Sequence, residues 1–138
     1  MRRKQFRVLT VVLAAGSIAA LPSCGLPQQL DGVSIQPTTV AFGSPSTLLS
    51  TQLTAYGSFV HPTATKDVTS EAVWSTDIQG IVTVTAAGLV TPTGTGCGVV
   101  NVIASVTNSP HTPKGQVYVA HAVVTVADIG DPSCPQPQ

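Results

Sequence analysis

The sequence predicts an all-β domain, a sandwich of two sheets built from about seven short strands. Three observations lead there. Beyond Cys24 the chain is dominated by Thr and Val, β-branched residues whose stiff side chains suit a pleated surface. Short runs alternate apolar and polar residues, with Gly- and Pro-bearing turns between them at the spacing of a sandwich or barrel. Long stretches of Ala, Leu, Glu and Lys with a 3.6-residue period are absent after Cys24, so no helix is expected there.

The first element along the chain is an address. Arg2, Arg3, Lys4 and Arg7 are four of the six cations, and an apolar stretch from Val8 to Leu21 follows them. A basic head, a short apolar middle and small residues before a cut site mark a secretory signal, here residues 1–23. A membrane-spanning helix needs about 20 apolar residues; this stretch is shorter and ends at Pro22. The run Leu21-Pro22-Ser23-Cys24 resembles the lipobox of bacterial lipoproteins, departing from it at Pro22, where Ala or Ser is usual. The resemblance implies cleavage before Cys24 and acylation of that residue. Each buried methylene of an acyl chain adds about 0.8 kcal/mol of membrane affinity, so the expected location is the bacterial cell envelope, lipid-anchored to a membrane. The alternative is ordinary signal cleavage and a secreted protein.

Three cysteines are present, and an odd number in an exported chain calls for an explanation. If Cys24 takes the lipid, Cys97 and Cys134 remain to form a disulfide in an oxidising compartment. The competing reading, a metal site, lacks the paired Cys or His spacing that such sites use.

Without residues 1–23 the chain has 115 residues, the size of one domain. Lys66 and Lys114 are then the only cations against six acids, a formal balance of −4. Nucleic-acid binding needs clustered Lys and Arg, and two isolated lysines exclude it as an expectation.

The elements follow in order. Residues 24–31 read as a Pro-containing tether and residues 32–128 as the domain. Val33-Ser34-Ile35 alternates and stops at Pro37. Thr51 to Gly57 points Leu53 and Ala55 one way, and Pro62 to Asp67 reads as a loop. Ala72 to Thr76 sets Ala72 and Trp74 on one face. Ile81 to Thr85 turns Val82 and Val84 inward, and Ala86-Ala87-Gly88 turns the chain into Leu89 to Thr91. Glycines 94, 96 and 98 form a tight corner. Val99 to Val106 carries Val100, Val102, Ala104 and Val106 on one face. After a loop with Pro110 and Pro113, Val117 to Ala127 presents Tyr118, Ala120, Ala122, Val124 and Val126 together. Residues 129–138 read as a C-terminal tail.

Val68-Thr69, Val73-Trp74-Ser75-Thr76, Val82-Thr83-Val84, Gly88-Leu89-Val90, the Gly turn and Val102-Ile103-Ala104 follow one another in an order that resembles the bacterial immunoglobulin-like domain of group 2. The resemblance covers about Gly32 to Ala127, with Cys97 inside the Gly turn and a long loop at 107–116 as departures. It implies an immunoglobulin-like sandwich that acts as a spacer or adhesion module, with Trp74 in the core. In such a sandwich the last two strands run antiparallel as neighbours, which brings Cys97 and Cys134 to the same end.

For chemistry, His61, His111 and His121 share no local spacing, so converging metal ligands are not expected. Asp67 with Glu71 and Asp128 with Asp131 are too sparse for the six to eight oxygens of calcium. No Ser lies in a nucleophile elbow, and Gly94-Thr95-Gly96 lacks the Lys and helix start of a phosphate loop. The expectation is a non-enzymatic module without cofactor or metal, whose partner is an envelope protein or polysaccharide. The alternative, a carbohydrate-binding module, needs exposed aromatics, for which Phe42, Tyr56, Phe59 and Tyr118 are the candidates once Trp74 is assigned to the core.

Overall fold

The computed structural model describes residues 27–46, 48–108 and 115–136. The signal at residues 1–23, Cys24, His111 and Lys114 lie outside the described residues. Among the described residues ten strands form: β1 (Gln29–Gln36), β2 (Thr39–Phe42), β3 (Thr51–Gln52), β4 (Thr54–Val60), β5 (Ala64–Asp67), β6 (Val73–Thr76), β7 (Val82–Val84), β8 (Leu89–Pro92), β9 (Gly98–Thr107) and β10 (Val117–Val126). The class is all-β, as expected.

The strands make three hydrogen-bonded sheets, ordered β1-β4-β5, β2-β10-β9-β6 and β3-β8-β7. Two of these are one layer. Only Leu53 separates β3 from β4, and its N–H donates to Gly88 O at 2.9 Å, so the two pieces act as one kinked strand. The first layer therefore runs β1, β4/β3, β8, β7, with β5 as a flap on β4. The second runs β2, β10, β9, β6. This two-layer order is that of an immunoglobulin-like sandwich.

Alternation places the core between the layers. Val100, Val102 and Ala104 of β9 and Ala122, Val124 and Val126 of β10 are fully buried, and Leu53, Ala55 and Val90 meet them from the other layer. Cross-strand partners Val102 with Ala122, Val100 with Val124 and Ala104 with Ala120 line the inner face of this layer with small and β-branched side chains. Each fully buried Val or Leu stabilises the fold by about 1.5–3 kcal/mol before entropy is subtracted.

Four differences from the expected elements have physical causes. β1 starts at Gln29 and buries Leu30, so it takes in the end of the segment read as tether. Leu30 and Ile35 both point inward although five positions apart; a register shift between Leu30 and Gly32 inserts one extra residue and flips the phase, as a β-bulge does. Residues 64–67, read as loop, form β5, which pairs with β4 through Tyr56↔Asp67 and Phe59↔Ala64. Most of its residues are exposed, and a strand polar on both faces has no alternation to read. β2, four residues long and parallel to β10, was masked by the adjacent Pro37, whose bond to Gln36 is cis.

Candidate functional site

The two poles of the sandwich differ in what they hold. At one pole Pro27 leads into β1, where Gln29 lies opposite Val60. Gln28 Nε2 donates to Pro62 O at 3.1 Å, Lys66 Nζ donates to Gln28 Oε1, and the Leu30 N–H donates to Asn108 Oδ1 at 3.4 Å. The chain thus enters the fold at a fixed point beside the turn at His61.

At the opposite pole Cys97, just before β9, is bonded to Cys134 in the segment after β10, with Cα atoms 5.7 Å apart. That separation lies within the usual range for a disulfide. Antiparallel pairing of Gly98 with Val126 brings the two cysteines together. The segment between Asp128 and Gln136 is folded on itself by two Asx turns. Gly130 N–H donates to Asp128 Oδ1 at 2.9 Å, and Ser133 N–H and Oγ donate to Asp131 Oδ1 at 2.9 and 2.6 Å. Cys134 is buried, and the turns and the bridge hold this otherwise mostly exposed stretch at the end of the sandwich.

Ligand-type atoms of Cys97, Asp131 and Cys134 lie within 4.8 Å of one another. With the two sulfurs bonded to each other, no thiolate remains to hold a cation, and the Asp131 carboxylate is taken by Ser133. The Ser133 hydroxyl and N–H hold the Asp131 carboxyl below its ordinary pKa. The sequence argument missed Asp131 at the bridge; the Asp-Pro-Ser spacing of an Asx turn was the signal available for it.

Other candidates are dispersed. His61 sits in the β4–β5 turn with φ of 60°, while His121 is exposed on the outer face of β10 opposite Ile103. Asp67 accepts from the Thr69 N–H at 2.9 Å, and bonding from the Thr69 side chain and backbone lowers its pKa. Asp77, which the sequence argument passed over, is a clamp. It accepts from Asn101 Nδ2 at 2.6 Å and from Asn101 N–H at 2.8 Å, tying the loop after β6 to β9. The Asn101 side chain, then its N–H, lowers the Asp77 pKa.

Trp74 lies at the border of the core and not in its centre. It is half-buried on β6, packs against the core cluster, and donates from Nε1 to Thr69 O at 3.1 Å. Phe42 is buried, and Tyr56, Phe59 and Tyr118 are half-buried, with Lys66 Nζ 5.1 Å from the Phe59 ring centroid. Among the described residues no aromatic side chain is fully exposed. A surface hollow of about 660 Å³ lies over β2 and β10 and is lined by Thr39, Ala41, Val123 and Thr125, with Pro135 and Gln136 at its side.

No protein-family model matches the chain, and no curated protein matches it either.

Proposed function

We propose that the chain is exported and lipid-anchored through Cys24, and that its single immunoglobulin-like sandwich is a non-enzymatic binding, adhesion or spacer module at the bacterial cell envelope. The observation that carries this reading is the Cys97–Cys134 bridge. It accounts for two of the three cysteines and leaves Cys24, the residue after Leu21-Pro22-Ser23, as the one outside the pair. A disulfide also fits an oxidising compartment.

The pole architecture supports the same reading. The chain reaches β1 within a few residues of Cys24, so a lipid there would hold the N-terminal pole against a membrane and present the disulfide pole outward. The module reading is favoured over a carbohydrate-binding one because the described aromatic rings are all at least partly packed, leaving no stacking platform.

Expression of the full chain in a bacterium, followed by membrane fractionation, tests the anchor. Wild type should partition with membranes and the Cys24→Ala form should not be processed to the lipidated species. A wild-type protein found wholly in the soluble fraction and carrying no acyl mass contradicts it.

A further inference from the structure

We propose that the open edge of β6 is a docking strand for an extended, basic segment of a partner protein, which adds to the β2-β10-β9-β6 sheet as a fifth strand. The sandwich is closed on one side and open on the other. On the closed side the chain crosses between the layers from β1 to β2, and β1 lies against β10. On the open side both layers end, one at β6 and the other at β7. The Asp77 N–H donates to Asn101 O, which sets the phase of the ladder. Bonded and non-bonded pairs alternate between antiparallel strands, so Val73 and Ser75 bond to β9 while Trp74 and Thr76 aim their N–H and C=O groups outward along the edge. Exposed edges are commonly guarded by charged side chains, Pro or bulges. Strand β5 carries Lys66 and Asp67, whereas β6, VWST, carries none of these devices. A hollow of about 440 Å³ runs between the two edge strands, lined by Trp74, Thr76, Gln79, Val82, Val84 and Thr93. A strand added to β6 turns every second side chain toward it. Backbone bonds then give affinity and the hollow gives side-chain preference.

Charge selects the occupant. Exposed acids bracket the strand, Glu71 before it and Asp77 after it, and Asp77 holds its charge in the Asn101 clamp. A third acid, Asp67, accepts from the Thr69 N–H, and the Thr69 carbonyl in turn receives the Trp74 indole N–H. Among the described residues Lys66 is the one cation, and it is engaged by Gln28 and the Phe59 ring. A second copy of β6, laid antiparallel and centred on Trp74, would set Glu71 against Asp77 at both ends, a repulsive pairing. A segment with Lys or Arg at both ends meets an acid at each. The proposal rests on the binding-module reading and names its partner. It does not depend on the lipid: acylation of Cys24 is read by mass, so a failed anchor leaves the following test intact.

The test is affinity selection by the full-length protein in detergent from nine-residue peptides with randomised interiors and Lys, Ser or Asp at both ends, followed by amide hydrogen exchange with the best binder. Lys-ended peptides should be enriched. Exchange at Trp74 and Thr76 should slow at least tenfold on binding, and exchange in β2 and β7 should not change. Thr76→Pro removes one outward N–H at a position where an edge strand accepts Pro; it and Glu71→Lys should each weaken binding at least tenfold, with circular dichroism staying native. The proposal is overturned if no peptide is selected, if Ser- or Asp-ended peptides bind as well, if β2 or β7 is protected instead, or if binding survives Thr76→Pro in folded protein. Slowing at Trp74 and Thr76 that follows protein concentration without peptide would make a second copy the occupant and equally overturn it.

Discussion

Gly88 and Gly96 show how single residues hold the two layers together. Gly88 has φ of +80°, and a Cβ there would stand 2.5 Å from Leu53 O and 3.0 Å from the Trp74 ring. A Cβ on Gly96 would stand 2.2 Å from Gly80 O, a backbone atom that cannot step aside. Gly88→Ala should therefore cost about 1–3 kcal/mol from the backbone conformation alone, read as a lowered urea midpoint, and Gly96→Ala should also destabilise. Trp74 sits over Gly88 half-buried, so Trp74→Ala should cost about 2 kcal/mol, less than the 3–5 of a fully buried aromatic. Its emission maximum should fall between those of buried and exposed indoles; a maximum at the fully exposed value contradicts the packing. The inward phase of Trp74 was legible from its alternation with Ala72. Its place at the border was not, because an edge strand has a neighbour on one side only, and sequence does not say which strand is last. The Asp77 clamp was hidden for a related reason: Asn101 is far off in sequence.

Asp67, Asp77 and Asp131 all bond more strongly when ionised, and their folded pKa values lie below the unfolded one. The stability they contribute is present above about pH 4, the unfolded carboxylate value, and is lost as pH falls through the lower folded values. Urea midpoints measured downward from neutral pH should drop below about pH 4, and Asp77→Ala should shallow that drop. An acid limb identical to that of wild type would contradict the clamp.

Among the elements, the β9–β10 hairpin is the part the sequence states most openly. Every second residue from Val100 to Val106 and from Ala120 to Val126 is buried, and the period-2 pattern needs no other knowledge. Strand β1 was legible only in part, because the bulge at Asp31 breaks the alternation that would have joined Leu30 to Ile35. Strands β2 and β5 owe their existence to partners, β10 and β4, and short edge strands have little pattern of their own. The bridge belongs to this scale as well, since antiparallel pairing of β9 and β10 is what brings Cys97 to Cys134. It closes a loop with a sequence separation of 37, worth about 4 kcal/mol on the chain-entropy estimate. Replacing both cysteines by Ser should lower the unfolding free energy by about that amount while leaving the β-sheet signal in circular dichroism unchanged. A change well under 1 kcal/mol would contradict a bridge that constrains the unfolded chain.

At the scale of the whole molecule, the sandwich separates two poles and two outer faces that differ in character. One pole takes the N-terminal segment, the other holds the disulfide and its paired Asx turns. Exposed valines at 73, 99, 117, 119 and 123 gather on one outer face among polar Asn101, Ser105, His121 and Thr125, while the other carries Thr54, Tyr56, Ser58 and Thr83. The fold class was legible because sheet-forming composition and alternation are local properties. The difference between the faces was only half legible: the apolar runs in β9 and β10 are plain in the sequence, but which of their residues point outward depends on which face the other layer covers. The reading of the chain as a lipid-anchored envelope module rests on Cys24 being the odd thiol. Intact mass of the protein extracted from membranes, taken with and without reductant after denaturation and thiol alkylation, tests this most directly. The account predicts an N-terminus at Cys24 that carries acyl chains, no alkylated thiol before reduction, and two after it. Free thiols at Cys97 and Cys134 before reduction, or an unmodified Cys24, would contradict it.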